Sequence, residues 1–504
     1  MSIWTHITNF TSQLFCRDSL WLIFGYNQDT PLIFTQLYFW VFFAVVLTVY
    51  SFAYKKNAAR NGFLFLVSLF FYYKTSGFFF TILLFSTFSD YLIGFAIYNG
   101  KTITRKKCWL ALSIFINLFV LFYFKYAYFF ADSFNELVGA NWQPINHFAV
   151  YSNQLFNTTF VDQILLPVGI SFFTFQTMSY SIDIYRKQVK PVKSVIDFGF
   201  YVSFFPQLVA GPIERSNRLL PQFFIKHDFN YTRVKYGLQQ ILWGFFKKVV
   251  IADRLAIVVD GVYNNLDNYS GFPLVIATIF FTFQIYCDFS GYSDIAIGSA
   301  RVMGFELMEN FKRPYFSKSI SEFWKRWHIS LSTWFRDYLY IPLGGNKVVK
   351  WKWYYNLFIT FLVSGFWHGA NWTFIIWGAL NALYFLPLLL FNRNRVNTNT
   401  VAEGKYLPSF KEFYQILTTF SLTVLAWVFF RAEHWEDAIK IIKGMFGFTG
   451  IVLPSFLGKV SLLKESELIF GEVYANFFSD TEITFWLLIA LYICLFCQNS
   501  NQML

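Results

Sequence analysis

Residues 31–54 contain no Asp, Glu, Lys or Arg, and no other feature of this 504-residue chain restricts its folding more. A bilayer core about 30 Å thick needs roughly 20 apolar residues per helical span. In hydrocarbon every backbone N–H and C=O must also find its partner within the protein. A helix meets both demands. Further apolar runs lie near residues 62–73, 77–98, 108–130, 164–181, 195–211, 237–251, 272–299, 354–369, 371–391, 411–430 and 483–497. Composition points the same way: 56% of residues are hydrophobic and 14% charged, where a soluble domain carries about 25% charged residues. The expected fold class is an all-α polytopic membrane protein, one integral-membrane domain over residues 1–504. An N-terminal span is expected within 1–60, and a C-terminal span and polar tail within 480–504.

The formal net charge of +12 would suggest nucleic acid as a partner for a soluble protein. Here the basic residues fall in short connections: Lys55, Lys56 and Arg60; Lys101, Arg105, Lys106 and Lys107; Arg186, Lys187, Lys190 and Lys193. The positive-inside rule places such loops in the cytoplasm, which excludes the nucleic-acid reading. The run at 31–54 then starts outside, 62–73 pairs with 77–98 as a return hairpin, and 131–162 faces the periplasm. Five scattered cysteines, of which Cys494 and Cys497 alone share a C-x-x-C spacing, give neither a disulfide framework nor a zinc site. No basic residue precedes Arg17, so no cleavable signal peptide is expected.

Between residues 304 and 353 charges appear among large aromatics: Lys312, Arg313, Glu322, Lys325, Arg326, Arg336 and Asp337. This pattern suits a helix lying in the interface or lining a water-filled funnel. Ser319 followed three residues later by Glu322 marks its start as a capping box, with Pro314 just upstream.

Of six histidines, His6, His147, His227 and His434 sit in polar or terminal surroundings. His368 lies in Ser-Gly-Phe-Trp-His-Gly-Ala-Asn-Trp, between two apolar runs. An ionisable residue at membrane depth is costly enough to mark a functional site, although a histidine hydrogen-bonded between helices would look the same. Gly365 and Gly369 form a small-xxx-small pair that permits close helix packing or substrate approach. Asn371, three residues after His368, falls on the same face of a continuing helix, where it would orient the imidazole or donate to an oxyanion. His328 is embedded in Trp-Lys-Arg-Trp-His, with Trp324 four residues before it. Trp324, Lys325, Arg326, Trp327, Arg336 and Asp337 could hold a phosphate-bearing donor, or simply form an amphipathic helix at the bilayer edge. Asp288 and Asp294 interrupt an apolar run and must be paired or protonated, in a proton path or as helix cross-links.

These segments resemble the membrane-bound O-acyltransferase (MBOAT) family. The resemblance runs from Ser-Asp-Tyr-Leu-Ile-Gly at 89–94 to about Met445. It includes Leu-Pro-Val-Gly-Ile-Ser-Phe-Phe-Thr-Phe-Gln at 166–176, Phe-Pro-Gln-Leu-Val-Ala-Gly-Pro-Ile-Glu-Arg at 205–215 and Asp-Phe-Ser-Gly-Tyr-Ser-Asp at 288–294. It is strongest over residues 322–346 and 364–372. Leu-Ala-Trp-Val-Phe-Phe-Arg-Ala at 425–432 looks like the branch that O-acetylates alginate. The resemblance implies a bundle of about 11 to 13 membrane helices, some tilted or re-entrant, around a central tunnel. It also implies His368 as catalytic base, His328 as its companion, acetyl-CoA as donor, no metal and no bound cofactor. An exported polysaccharide would be the acceptor, through a periplasmic SGNH-type partner, at the bacterial inner membrane. Transfer of D-alanyl or longer acyl groups stays open. So does another class, a transporter with Asp288, Asp294 and His368 as an ion path, against which the sequence shows no paired broken helices.

Overall fold

A computed structural model describes residues 25–27, 31–156, 163–209, 211–391, 401, 408–450, 452–454, 469–471, 485 and 489. The expected span at 483–497, Cys494 and Cys497, and the region before Arg17 lie outside them, apart from residues 485 and 489. The protein is an all-α polytopic membrane protein. Five helical stretches are long and apolar enough to cross a membrane: Asn57–Tyr98, Ile103–Val138, Phe272–Val302, Trp372–Leu390 and Phe410–Arg431. The described residues form two compact units, the first holding those up to Tyr231 with Met303–Glu306, the second those of Thr232–Val302 and from Leu307 onward.

The first unit holds α1 (Leu37–Ala53), α2 (Asn57–Ser76), α3 (Phe80–Tyr98), α4 (Ile103–Val138), α5 (His147–Phe156), α6 (Ile170–Tyr185), α7 (Val195–Ser203), α8 (Phe205–Leu208) and α9 (Ser216–Phe223). The uncharged run at 31–54 is helical only from Leu37. Ahead of that, Leu32 N–H donates to the Lys74 carbonyl and Thr75 Oγ1 to the Leu32 carbonyl, pinning the segment to the end of α2. Arg60 lies not in a loop but inside the first turn of α2, fully buried. Its guanidinium donates to the carbonyls of Phe223 (2.6 Å) and Ile225 (3.0 Å), so helix-end carbonyls satisfy the buried cation. At Gly77 the backbone takes φ +60°, and a Cβ there would lie 2.8 Å from the Tyr26 ring. Only glycine suits that turn.

The return hairpin expected there is present. Asn57, at the start of α2, donates to the Phe224 carbonyl (2.9 Å), and Tyr91, in the second half of α3, donates to the Lys193 carbonyl (2.6 Å). Both carbonyls belong to residues lining one cleft. Helix α4 begins earlier and ends later than its apolar run, taking in Arg105, Lys106 and Lys107. Long basic side chains are good helix formers and can reach water from a helix end. Thr102 caps it through the Arg105 N–H (3.2 Å), and Gly139 closes it at φ +69°. At the unit's centre the fully buried Asp90 accepts hydrogen bonds from Ser113, Asn117 (2.6 Å) and Ser181 (2.9 Å), tying α3 to α4 and α6.

The second unit opens with α10 (Tyr231–Phe245), a widened π-helical turn (Phe246–Ala252), α11 (Asp253–Tyr263) and the long α12 (Phe272–Val302). Gly237 and Gly244 of α10 face Gly298 and Gly291 of α12, where each added Cβ would fall 2.6–2.9 Å from a carbonyl oxygen opposite. Small residues seven apart on both helices let the backbones touch. Next come α13 (Ile320–Arg326), α14 (Ile329–Phe335), α15 (Lys350–His368), α16 (Trp372–Leu390), α17 (Phe410–Arg431) and α18 (Trp435–Met445). A pair of three-residue parallel strands, Val452–Pro454 and Ile469–Gly471, is the only sheet among the described residues. Helices α15 and α16 cross through Gly365 and Gly378, whose Cα atoms would lie 3.1–3.2 Å from a Cβ on the other. The small-residue contact at this crossing is therefore Gly365 with Gly378. Gly369 lies beyond the helix, against the Phe374 ring.

Candidate active site

The charged stretch does not form one helix through His328. Helix α13 stops at Arg326, Trp327 is extended, and His328 takes φ +43° and ψ +56° before α14 begins. Ser319 caps α13 through the Glu322 N–H (3.2 Å), but the Glu322 carboxylate reaches Lys318 N–H (2.7 Å) instead of closing the box on Ser319. The backbone groups released at the break find partners in residues 310–312. Lys312 N–H donates to the Arg326 carbonyl, and Ile329 N–H to the Asn310 carbonyl, both at 2.9 Å. The Asn310 side chain accepts from the Ser330 N–H (3.2 Å) and hydroxyl (2.9 Å) and donates to Ser293 (3.2 Å). This clamp holds a left-handed conformation that costs a non-glycine residue about 1–3 kcal/mol.

The result is a buried imidazole, 2% exposed, edge-on to Phe289 at 4.6 Å. Its Nε2 is buried and has no hydrogen-bond partner among the described residues. Burial pushes the His328 imidazolium down to about 3, so the ring is neutral. His368 ends α15, its ring 6.5 Å from that of His328. Edge-to-face contacts with Trp367 (5.0 Å), Trp377 (5.1 Å) and Phe430 (5.2 Å) frame it. Trp377 stacks on Trp427 at 5.7 Å and packs against Trp324 at 5.7 Å. The indole N–H groups of Trp324 and Trp427 are buried without an acceptor among the described residues. Two neighbouring imidazoles framed by an aromatic wall are groups that can take up and return a proton.

The family model for the membrane-bound O-acyltransferases matches residues 118–426, most of the described chain, and spans both histidines. The chain belongs to the membrane-bound O-acyltransferase family. It is similar to the probable alginate O-acetylase AlgI of Pseudomonas aeruginosa, 43% identical over 365 residues, 72% of this chain and 65% of that one. It is also similar to the peptidoglycan O-acetyltransferase of Helicobacter pylori, 34% identical over 90% of this chain and 86% of that one. The teichoic acid D-alanyltransferase of Bacillus subtilis is 31% identical over 53% of this chain and 69% of that one.

Other residues of this O-acyltransferase that the sequence singled out lie in varied settings. Asn371 does not continue the helix of His368. It caps α16 through the Thr373 N–H (3.0 Å) and donates to the Glu433 carbonyl (2.7 Å). Trp327 is buried among Tyr286, Phe311, Phe323 and Trp427, part of the wall and not an open platform. Arg326 pairs with Glu322 at 2.7 Å, Arg336 with Asp337 at 2.7 Å, and Lys325 is exposed. Asp294 is paired with Lys247 and accepts from Gln240 (3.1 Å), while Asp288 pairs with Lys248 at 2.5 Å. Both carboxylates thus cross-link α12 to the turn after α10. Burial would lower the Lys248 ammonium, but its ion pairs with Asp253 and Asp288 outweigh that and raise it. The pattern reading missed Lys247, Lys248 and Asn310. Two adjacent lysines inside the apolar run at 237–251 were the available signal for the first two. Among the described residues no three His, Cys, Asp or Glu side chains gather as a metal site.

Proposed function

We propose that this multi-pass protein transfers an acetyl group from acetyl-CoA toward O-acetylation of an exported cell-envelope polysaccharide. His368 is the general base that removes the acceptor hydroxyl proton as that oxygen attacks the thioester carbonyl, and coenzyme A thiolate departs. The observation that carries the reading is the pair of histidines. A strained, buried His328 with an unpartnered ring nitrogen lies 6.5 Å from His368. That separation is too long for the rings to hydrogen-bond each other. An imidazole near neutrality suits the proton transfer, and the unsatisfied indole donors suit a developing oxyanion.

The pairing of Asp288 and Asp294 with lysines favours an enzyme over an ion path lined by these carboxylates. The inner membrane, with the acetyl group passed to a periplasmic SGNH-type partner, fits an envelope acceptor. The O-acetylase and peptidoglycan O-acetyltransferase relatives support acetyl as the group moved. The test is mass spectrometry of envelope polysaccharide and peptidoglycan from cells with and without this chain. Loss of O-acetyl groups from one glycan is expected. Unchanged acetylation with loss of D-alanyl esters would replace acetyl by D-alanyl.

A further inference from the structure

Away from both histidines, the first unit carries a cleft of about 490 Å³ lined by residues 188–194 together with Asp197 of α7 and Ser216, Asn217, Leu220, Pro221 and Phe224 of and after α9. Its loop is built, not loose. Val192 N–H donates to the Tyr180 hydroxyl (3.0 Å), Tyr91 holds the Lys193 carbonyl, and Ser194 caps α7 through the Asp197 N–H (3.2 Å). The one carboxylate in the lining, Asp197, is held by Asn61 Nδ2 at 2.8 Å. Lys190 and Lys193 are exposed on the rim.

Phe224 of the lining is 54% exposed, its chain neighbour Ile225 58%, and Val195 and Ile196, which follow Ser194 of the lining, 43% and 45%. The cleft also has a defined side. Asn57, at the start of the first arm of the hairpin, bonds to the Phe224 carbonyl, and Lys55 and Lys56 precede it. Ile184, just before the cleft loop, packs on Gly94 near the end of the second arm, which leads into Lys101, Arg105, Lys106 and Lys107. Because 57–98 is a return hairpin, its start and its end lie on the same side, and the three basic segments share one face of this unit. By the positive-inside rule that face is cytoplasmic, where the leaflet is rich in anionic lipid.

We propose that this cleft binds the headgroup of an anionic phospholipid, with Lys190 and Lys193 on its phosphate and an acyl chain along Phe224 and Ile225. A basic pocket with exposed apolar side chains beside it on the cytoplasmic face matches both parts of such a molecule. The site is independent of the proposed acyl transfer.

The full chain in nanodiscs of equal phosphatidylglycerol and phosphatidylcholine, released for native mass spectrometry, should retain phosphatidylglycerol preferentially. The double variant K190Q/K193Q should lose that preference, by roughly five-fold per lysine, while K190R/K193R keeps it. A photocrosslinking p-benzoylphenylalanine at position 224 should label phosphatidylglycerol in the wild-type background. Equal retention of the two lipids by the wild type, an unchanged preference in K190Q/K193Q, or loss of the preference in K190R/K193R would overturn the proposal. So would crosslinking at position 224 to protein alone.

Discussion

Replacing Gly365 by Ala places a methyl group at the closest point of the α15–α16 crossing, three residues before His368. Its Cβ would lie 2.3 Å from the Phe374 carbonyl oxygen and 3.1 Å from Gly378 Cα, both backbone atoms that cannot rotate away. Ordinary contact begins at 3.4 Å, so the helices must separate by about 1 Å at this point. Overpacking of this kind costs about 1–3 kcal/mol, which need not unfold the bundle. Its larger consequence falls on the site. His368 rides on α15 and its wall, Trp377, on α16, so the shift opens the contact between them. A misplacement near 1 Å can cost about 100-fold in rate. Acetyl transfer by purified G365A in nanodiscs should therefore fall about 100-fold, with the protein still folded by circular dichroism. Gly62→Ala is the control: nothing lies within 4 Å of its added Cβ, so it should keep full activity and gain up to about 1 kcal/mol of helix propensity. Near wild-type activity in G365A would refute the close crossing as the device that places His368.

Asp294→Asn leaves Lys247 buried without its counter-charge and should cost about 3–5 kcal/mol, read as lower abundance and an earlier unfolding midpoint. The double variant K247M/D294L should recover most of it. Asn310→Ala removes the clamp on Ser330 and should lose about 1–3 kcal/mol along with most activity. Asn310→Asp, which keeps the acceptor, should retain both better. Since the His328 imidazolium is pushed from 6.5 to about 3 on folding, the unfolded chain binds the extra proton between those values. Stability should fall as pH drops below about 6.5 and level off near 3, a slope that His328→Gln flattens in thermal melts.

Helix type and approximate position were legible because membrane burial forces long apolar runs. The edges were not. Arg60 reads as a loop charge, and only the distant carbonyls of Phe223 and Ile225 explain how it sits inside a helix. His368 was legible by its cost at membrane depth and His328 by its aromatic, basic surroundings. Their approach was not, because it depends on a left-handed residue that no periodicity announces and on Asn310, 18 positions away in the chain. Asn371 shows the same limit. A face argument assumes an unbroken helix, and Gly369 ends this one. The partners of Asp288 and Asp294 depended on glycines seven apart on two helices, a pairing visible only once the helices meet.

The central claim, acetyl transfer with His368 as base, is tested most directly by one assay. Purified wild-type chain and His368→Ala, matched for folded protein in nanodiscs, are given radiolabelled acetyl-CoA and a polysaccharide or partner acceptor. Label should pass to the acceptor with the wild type and fall by at least about 100-fold with His368→Ala. Transfer by the variant within a few-fold of wild type would contradict the assignment.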